Sequence, residues 1–532
     1  MNTLKGFSLP YQKYLRFPLV ILSILSVVLS STAVLFAYYS KITIDYAIIN
    51  HKDFPLYASI LVGLLLLQLV GQMVNHYLKV YYQNKLYGAI QQDYFHLLLN
   101  GAYQQVKKTH SSSLTHLFKS DLSIVTEGLL DLIPKLIFYI LRFLLAFVVL
   151  YLLSPIFALL FLGLGLILLG ISRFLKKPLQ KTHKKAIEAE NIMYTEMTDS
   201  LSHLEVIKAF EGEDFTLNNL NENTNRLIKT RMSKTKISVA SSFGLNLFFG
   251  FGYAFSIIFG AYQISLGLLS IGALTAIIQL VQNIQSPFSG LSNILPKYYQ
   301  MIQSITHLSF IKDIQQEGSK KETDFEFERI VFKDVSFRYD EKWVLDKLDL
   351  EINKGDFVWI KGDSGLGKTT LFRLLLGFIR PYNGNIRFYA KDNYMNINET
   401  TRKYFSYVPQ TPYILSDTIY RNLTLGKNIP IEEVKRVCRL CLIDEEINTK
   451  PQGYHTILTE NAGLSIGQLQ RLSIARALLR DSKILLLDEV TSALDPALEK
   501  AIIDNLHKLK DKTILFISHR PLSNYTKLID LS

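Results

Sequence analysis

Before about Phe310 the chain is built from long apolar blocks nearly free of charge, and very few folds accept such sequence. Backbone groups in hydrocarbon have no water to bond, so each block crosses a bilayer as a helix of about 20 residues. The first runs from Phe17 to Ser40, after a short basic leader with Lys5, Lys13 and Arg16. Its length and the lack of a small-residue cleavage site predict an uncleaved span, not a signal peptide. The second begins near Leu56 and continues past Tyr77 into polar helical sequence. From Asp131 one long run supplies two spans joined by a tight turn at Ser154-Pro155. A fifth covers about Ser242 to Gln263 and a sixth about Ile271 to Leu291, so the chain returns to its starting side.

Lys and Arg crowd the leader, the segment between spans two and three, and the segment from Arg173 to Lys236. The alternate loops at Lys41 to Pro55, at Ser154-Pro155 and around Gly267 carry few or none, which predicts that both termini are cytosolic. The formal charge of +12 could suggest nucleic acid, but it lies mostly beside the spans, so no nucleic-acid partner is expected. The two charged loops read as helical, extending the membrane helices into the cytosol. After the sixth span the chain changes to mixed α/β sequence, and its two cysteines, Cys438 and Cys441, form no disulfide framework and fit a reducing compartment. The expectation is a six-helix membrane domain over 1–312, a polar linker over 313–327 and an α/β nucleotide-binding domain over 328–532. The setting is a multi-pass protein of the plasma (inner) membrane, in contact with lipid.

The second half is organised around Trp359 to Leu371, WIKGDSGLGKTTL. An apolar strand enters a glycine-rich turn that opens a helix, so backbone N–H groups and the helix N-terminus converge on phosphate. Gly362, Asp363, Ser364, Gly365, Leu366, Gly367, Lys368, Thr369 and Thr370 are the expected ATP-binding loop. Lys368 reaches the β- and γ-phosphates, and Thr369 places its hydroxyl on Mg²⁺. Downstream, KILLLDE reads as a buried strand ending in two carboxylates: Asp488 to hold Mg²⁺ and Glu489 to orient or deprotonate water.

With these motifs in place, LSIGQ resembles the signature of the ATP-binding cassette superfamily, Leu464, Ser465, Ile466, Gly467 and Gln468, lying before a helix and upstream of the acidic strand. The resemblance implies further roles in family order. Tyr339 in FRYD looks like the aromatic that stacks on adenine. Gln410 in YVPQ is similar to the glutamine that senses the γ-phosphate and Mg²⁺, which with Thr369 and Asp488 completes the metal set. Ser492, Leu494 and Asp495 in SALD look like a loop crossing a dimer interface, and His519 in ISHR like the histidine that contacts the γ-phosphate. HLEVIKAFEGEDF and SSSLTHLFKSDLSIVTEGL resemble the two cytosolic loops of six-helix exporters. Ile466 replaces the signature's usual glycine, and TENAG (Thr459 to Gly463) matches the family's acidic loop only loosely.

The membrane-first, fused order implies a half-transporter that hydrolyses ATP as a dimer, each phosphate loop facing the partner's signature. A homodimer is expected because Glu489, His519, Ser465 and Gly467 are all present, with a heterodimer as the alternative. The cargo is expected to be a peptide or amphipathic small molecule; a lipid flippase, or an ATP-gated channel or regulator that pumps nothing, are the alternatives. With no peptidase segment ahead of the first span, the chain is not expected to cleave leader sequences.

For the cargo pathway, Thr275, Gln279, Gln282, Asn283, Ser286, Ser289 and Asn293 recur at helical spacing in the sixth span, as Gln68, Gln72, Asn75 and His76 do in the second. Such stripes face a water-accessible path or another helix. Arg142 sits near the middle of the third span with no carboxylate in any span core, and is expected to face a cavity and attract a negative group on the cargo, such as a peptide C-terminus, with snorkelling or local water as the alternative.

Overall fold

The computed structural model describes every residue except 1, 50, 51, 110–113, 115, 116, 319–325, 364, 392, 460–462, 523 and 532. Six long helices carry the six expected spans: α1 Gln12–Ile49, α2 Phe54–Leu99, α3 Leu122–Leu153, α4 Pro155–Ser202, α5 Glu213–Ser265 and α6 Ile271–Asp313. At about 1.5 Å per residue, the 46 residues of α2 reach roughly 70 Å, twice the ~30 Å hydrocarbon core, so the helix continues well beyond a bilayer. Among the described residues, Gly6–Ile48, Phe54–Leu99 and Leu117–Leu153 are long and apolar enough to cross a membrane. The turn between α3 and α4 forms as its sequence dictates. Ser154 is extended and Pro155 takes the first turn of α4, where a missing N–H leaves no bond unmade.

The chain divides into two compact units, 1–96 with 111–313 and 97–110 with 314–532. In the first unit, Val34 and Ala37 of α1, Ala146 and Leu150 of α3, Phe157 and Phe161 of α4, and Ile277, Leu280, Val281 and Ile284 of α6 make a common core. The apolar window of α2 has none of its residues buried, as suits a face solvated by hydrocarbon.

The segment 97–110, which sequence reasoning left between two spans, packs within the second unit. Ala102 N–H donates to Gln315 O at 2.8 Å, Glu317 N–H to Asn100 O at 2.8 Å, and Tyr103 stacks on Phe378 with centroids 4.3 Å apart. Gly101 permits the approach, since a Cβ there would lie 2.6 Å from Ile314 Cγ2.

The second unit holds two sheets. One is antiparallel, in the order β2-β1-β4-β5, from β1 Arg329–Tyr339, β2 Lys342–Asn353, β4 Asn383–Ala390 and β5 Asn393–Asn396. The other is parallel, in the order β6-β7-β8-β3-β9, from β3 Phe357–Lys361, β6 Phe405–Val408, β7 Ile484–Asp488, β8 Thr513–Ile517 and β9 Lys527–Asp530. Its central strands are continuous apolar runs because both faces are covered. Phe357, Trp359, Leu485, Leu487, Ile514 and Phe516 enter one core. Their alternates Val358, Ile360, Ile484, Leu486, Leu515 and Ile517 enter the other. The helices that matter for the site are α7 Lys368–Leu375, α8 Ile431–Leu440, α9 Ile466–Leu479 and α10 Pro496–His507. Cys438 and Cys441 lie in the first of these cores, where burial pushes both thiols up, Cys438 to about 12.

Candidate phosphate-binding and hydrolysis site

The parallel sheet brings the loop after β3 beside the end of β7, because β8 alone separates the two strands. Gly362, Gly365 and Gly367 have φ of 152°, 90° and 91°, a backbone that side chains disfavour. At Gly367 a Cβ would also lie 2.9 Å from both Val344 Cγ1 and Leu345 Cδ2. Lys368 opens α7 and is buried, its Nζ donating to Gly362 O at 2.7 Å and Asp363 O at 3.3 Å. The lysine thus folds back over its own loop, across the place where backbone N–H groups gather. Thr370 is buried behind it, and Ser364 lies outside the described residues.

Asp488, at the end of β7, is 1% exposed and is gripped by two hydroxyls. Thr369 Oγ1 donates to Oδ1 at 3.3 Å and Tyr407 Oη to Oδ2 at 3.2 Å. Burial raises the Asp488 carboxyl above its ordinary range, which the two donors and Arg373 only partly offset. Burial also raises the Tyr407 phenol, with the Asp488 carboxylate adding to it, so the phenol stays protonated as the donor. Sequence reasoning missed Tyr407. Its only signal was its place three residues before Gln410, on the strand that pairs with β7.

Glu489 follows with φ of 51°, unusual for a side-chain-bearing residue and typical of functional positions. That conformation turns its carboxylate out of the strand. Gln410 Nε2 donates to Oε2 at 2.8 Å, His519 Nε2 lies 3.0 Å from Oε1, and Lys368 Nζ lies 3.9 Å from Oε1. Gln410, Glu489, His519 and Lys368 are therefore one cluster, drawn from four separate segments. Tyr339, at the end of β1, is 40% exposed, and its hydroxyl accepts from Arg373 Nη1 at 3.0 Å. Arg373 was also missed from sequence. It lies one turn beyond the phosphate loop on α7.

The signature is built differently. Ser465 caps α9 through a capping box with Gln468, Ser465 N–H to Gln468 Oε1 at 2.9 Å and Gln468 N–H to Ser465 Oγ at 3.3 Å. Ile466 is 63% exposed, while Leu464 packs at the edge of a core. Gly467 is closely packed, since a Cβ there would lie 3.0 Å from Leu494 Cδ2 and 3.1 Å from Ala493 O. The SALD loop is tied to the same helix. Gln470 Nε2 donates to Ser492 Oγ at 3.2 Å, Leu494 is buried, and Asp495 caps α10 by accepting from Ala497 and Leu498 N–H. Among the described residues no hydrogen bond or ion pair joins Leu464 to Gln468 with the phosphate loop. Glu460 lies outside the described residues.

In the membrane unit, Arg142 of α3 donates through Nε and Nη2 to Asn283 Oδ1 of α6, at 3.1 and 2.6 Å. Asn283 is buried and donates to Ala33 O at 3.3 Å. Gln279 accepts from Ser40 Oγ at 3.5 Å, Gln282 is exposed and Ser286 half-buried. The side chains of Ser289 and Asn293 lie outside the described residues.

Comparison with known proteins places these features together. Residues 19–288 match the ABC transporter transmembrane region, and residues 345–492 match the ABC transporter model. The chain is 30% identical over 355 residues to the transport/processing ATP-binding protein ComA of Streptococcus pneumoniae, covering 65% of this chain and 49% of ComA. It is 30% identical over 424 residues to the ATP-dependent lipid A-core flippase of Desulfotalea psychrophila, covering 77% of this chain and 73% of the flippase. Thus the chain spans about half the length of the transport/processing relatives and most of the flippase. A solved structure of a bacterial Atm1-family ABC exporter with ATP bound has the same fold, with a TM-score of 0.80 at 21% identity over 95% of this chain and 91% of that one. With a transmembrane region and a nucleotide-binding region matched in one polypeptide, the chain belongs to the ABC transporters.

Proposed function

We propose that this chain is one half of an ATP-driven exporter that moves a peptide or amphipathic cargo out of the cytosol. The observation that carries the reading is the cluster at the end of β7, where Glu489 is turned toward Gln410, His519 and Lys368 beside the phosphate loop. A purely regulatory nucleotide site needs no such hydrolytic set.

In this reading ATP lies on the glycine loop with its adenine against the exposed ring of Tyr339, and Lys368 unfolds from its own carbonyls onto the β- and γ-phosphates. Glu489 takes up the proton of the attacking water while Gln410 and His519 orient around it. The donor set of Thr369 hydroxyl, Asp488 carboxylate and Gln410 amide is all oxygen, and Asp488 is buried with hydroxyl partners only, so these residues fit Mg²⁺. When bound, Mg²⁺ neutralises charge on the phosphates. Asp488 and Thr369 would hold it and Gln410 would read its presence.

The signature's helix start carries an exposed Ile466 and, among the described residues, makes no hydrogen bond or ion pair with the chain's own phosphate loop, which supports a dimer in which each signature completes the partner's site. The same-chain pair of intact motifs supports a homodimer. Arg142, Gln279, Gln282, Asn283 and Ser286 are proposed for the cargo path, with the protein spanning the plasma membrane and both termini cytosolic. A lipid flippase is a second reading, favoured by the overlap with most of the flippase's length.

The test is ATPase activity of the purified protein in lipid, with Glu489→Gln as control, followed by hydrolysis-dependent accumulation in inverted vesicles. Stimulation by one cargo class that vanishes in the variant supports coupled export. Hydrolysis with no directional accumulation of any peptide, lipid or dye would leave the regulatory reading in its place.

A further inference from the structure

Between α1, α2 and α3 the membrane unit has an open pocket of about 210 Å³, lined on its polar side by Gln72, Asn75, Lys79, Asp131, Lys135 and Arg142. Three cations face one carboxylate. Asp131 is shared, its Oδ1 2.6 Å from Lys79 Nζ and its Oδ2 2.6 Å from Lys135 Nζ. Arg142 is held by neutral groups instead: two hydrogen bonds to the Asn283 amide and the Phe138 ring, whose centroid is 5.4 Å from Cζ. Among the described residues it makes no ion pair. Asn75 Oδ1 is shielded from solvent and has no hydrogen-bond partner, so one more polar group on the wall is unmet.

The cavity thus carries a surplus of two positive charges in a segment where an uncompensated charge is costly. Its charges are graded along the spans. Lys79 follows the apolar stretch of α2, and Asp131 and Lys135 open that of α3, at the cytosolic ends of both. Arg142 lies two turns further in, roughly 10 Å along the helix. Leu22, Leu29 and Phe138 form the apolar wall. The pocket has room for a head group and a few methylenes.

We propose that this cavity receives the anionic head, phosphate or carboxylate, of an acidic amphiphile entering from the cytosolic leaflet. The head passes from the lysines to Arg142 while the tail lies on Leu22, Leu29 and Phe138. This names the cargo class of the export reading, and rests on that reading for the direction of travel.

The experiment is binding of hexadecyl phosphate, hexadecanoate and uncharged hexadecanol to the full chain in phosphatidylcholine nanodiscs without ATP, followed by native mass spectrometry. Both anions are expected to bind above hexadecanol, and the stronger of the two identifies the head group. Arg142→Gln weakens anion binding about tenfold or more, the worth of a charged hydrogen bond. Lys135→Gln, at the partly exposed mouth, weakens it several-fold and serves as the variant least prone to misfold. Asp131→Asn has the opposite sign, because it releases both lysines to the ligand and tightens binding. Hexadecanol binding is unmoved throughout. Anion affinity unchanged in Arg142→Gln and Lys135→Gln overturns the proposal, as does preferential, Arg142-dependent binding of a peptide with a free over an amidated C-terminus. Since no ATP is present, an inactive ATPase would count against export and leave this result standing.

Discussion

The phosphate corner and the signature corner sit in one unit and differ in how their polar groups are satisfied. At the phosphate corner, side chains from separate segments bond to one another: Thr369 and Tyr407 to Asp488, Gln410 and His519 to Glu489. At the signature the bonds are local, Ser465 with Gln468 and Asp495 with the start of its own helix, and Ile466 projects outward. The first corner gathers groups from separate segments around two carboxylates, and the second is a capped helix end with an exposed Ile466. The lesson is that one corner is made by side chains meeting across the sheet and the other by the residues at the start of a single helix.

The largest break in this comparison is expected from Glu489→Gln, which removes the proposed base while keeping an acceptor for Gln410. Single-turnover kinetics should show a loss on the order of 10²–10⁴ in hydrolysis with ATP still bound. Next is Gly367→Ala, which meets both a positive φ and the Val344 and Leu345 side chains. A loss of about 2–3 kcal/mol is expected by denaturant unfolding of the detergent-solubilised protein, with nucleotide binding reduced in parallel. Ser465→Ala deletes only the Gln468 N–H to Ser465 Oγ half of the capping box, and should lower stability by about 1 kcal/mol without altering the phosphate loop's own affinity for nucleotide.

Asp488 sharpens the contrast through pH. Its carboxyl is raised by burial, so the native state holds the proton to a higher pH than the unfolded chain. The cost of its charge is therefore fully present above the raised value, and is relieved as pH falls through it toward the ordinary carboxylate range. Asp488→Asn should raise the melting temperature of the ligand-free protein by on the order of 2 °C at neutral pH, with the gain shrinking as pH falls, while hydrolysis is lost. Smallest is Ile466→Ala, a substitution of an exposed side chain, expected to shift stability by less than about 0.5 kcal/mol. Any larger consequence should appear only in ATP-dependent dimerisation, measured by size-exclusion chromatography with light scattering in the Glu489→Gln background.

What could be read in advance were features whose signal is carried by neighbouring residues. The spans were legible because hydrocarbon demands an unbroken apolar run, and each falls on one long helix. The phosphate loop was legible because its glycines, lysine and threonine act within a single turn. The same holds for the strand ending at Asp488. Missed were contacts that depend on which segments become neighbours. Tyr407 meets Asp488 because β6 pairs in parallel with β7, Val408 opposite Leu487. Arg373 meets Tyr339, and Gln470 holds Ser492, across loops of no fixed spacing. The 97–110 segment joined the second unit through bonds to residues 315–317.

The polar stripes show the same division. Sequence placed Asn283 on a polar stripe and Arg142 near the middle of its span, but helical periodicity cannot say which face meets which. Packing of α3 against α6 made them partners and left Arg142 beside a cavity. By itself, then, the order of residues determined six membrane-crossing helices, a phosphate loop opening a helix and two carboxylates ending a buried strand, because periodicity and loop chemistry are local. Only the tertiary structure decided which hydroxyls hold Asp488, what Glu489 faces and where the surplus charge of the membrane half collects, because strand order and helix docking bring together groups that the chain keeps far apart.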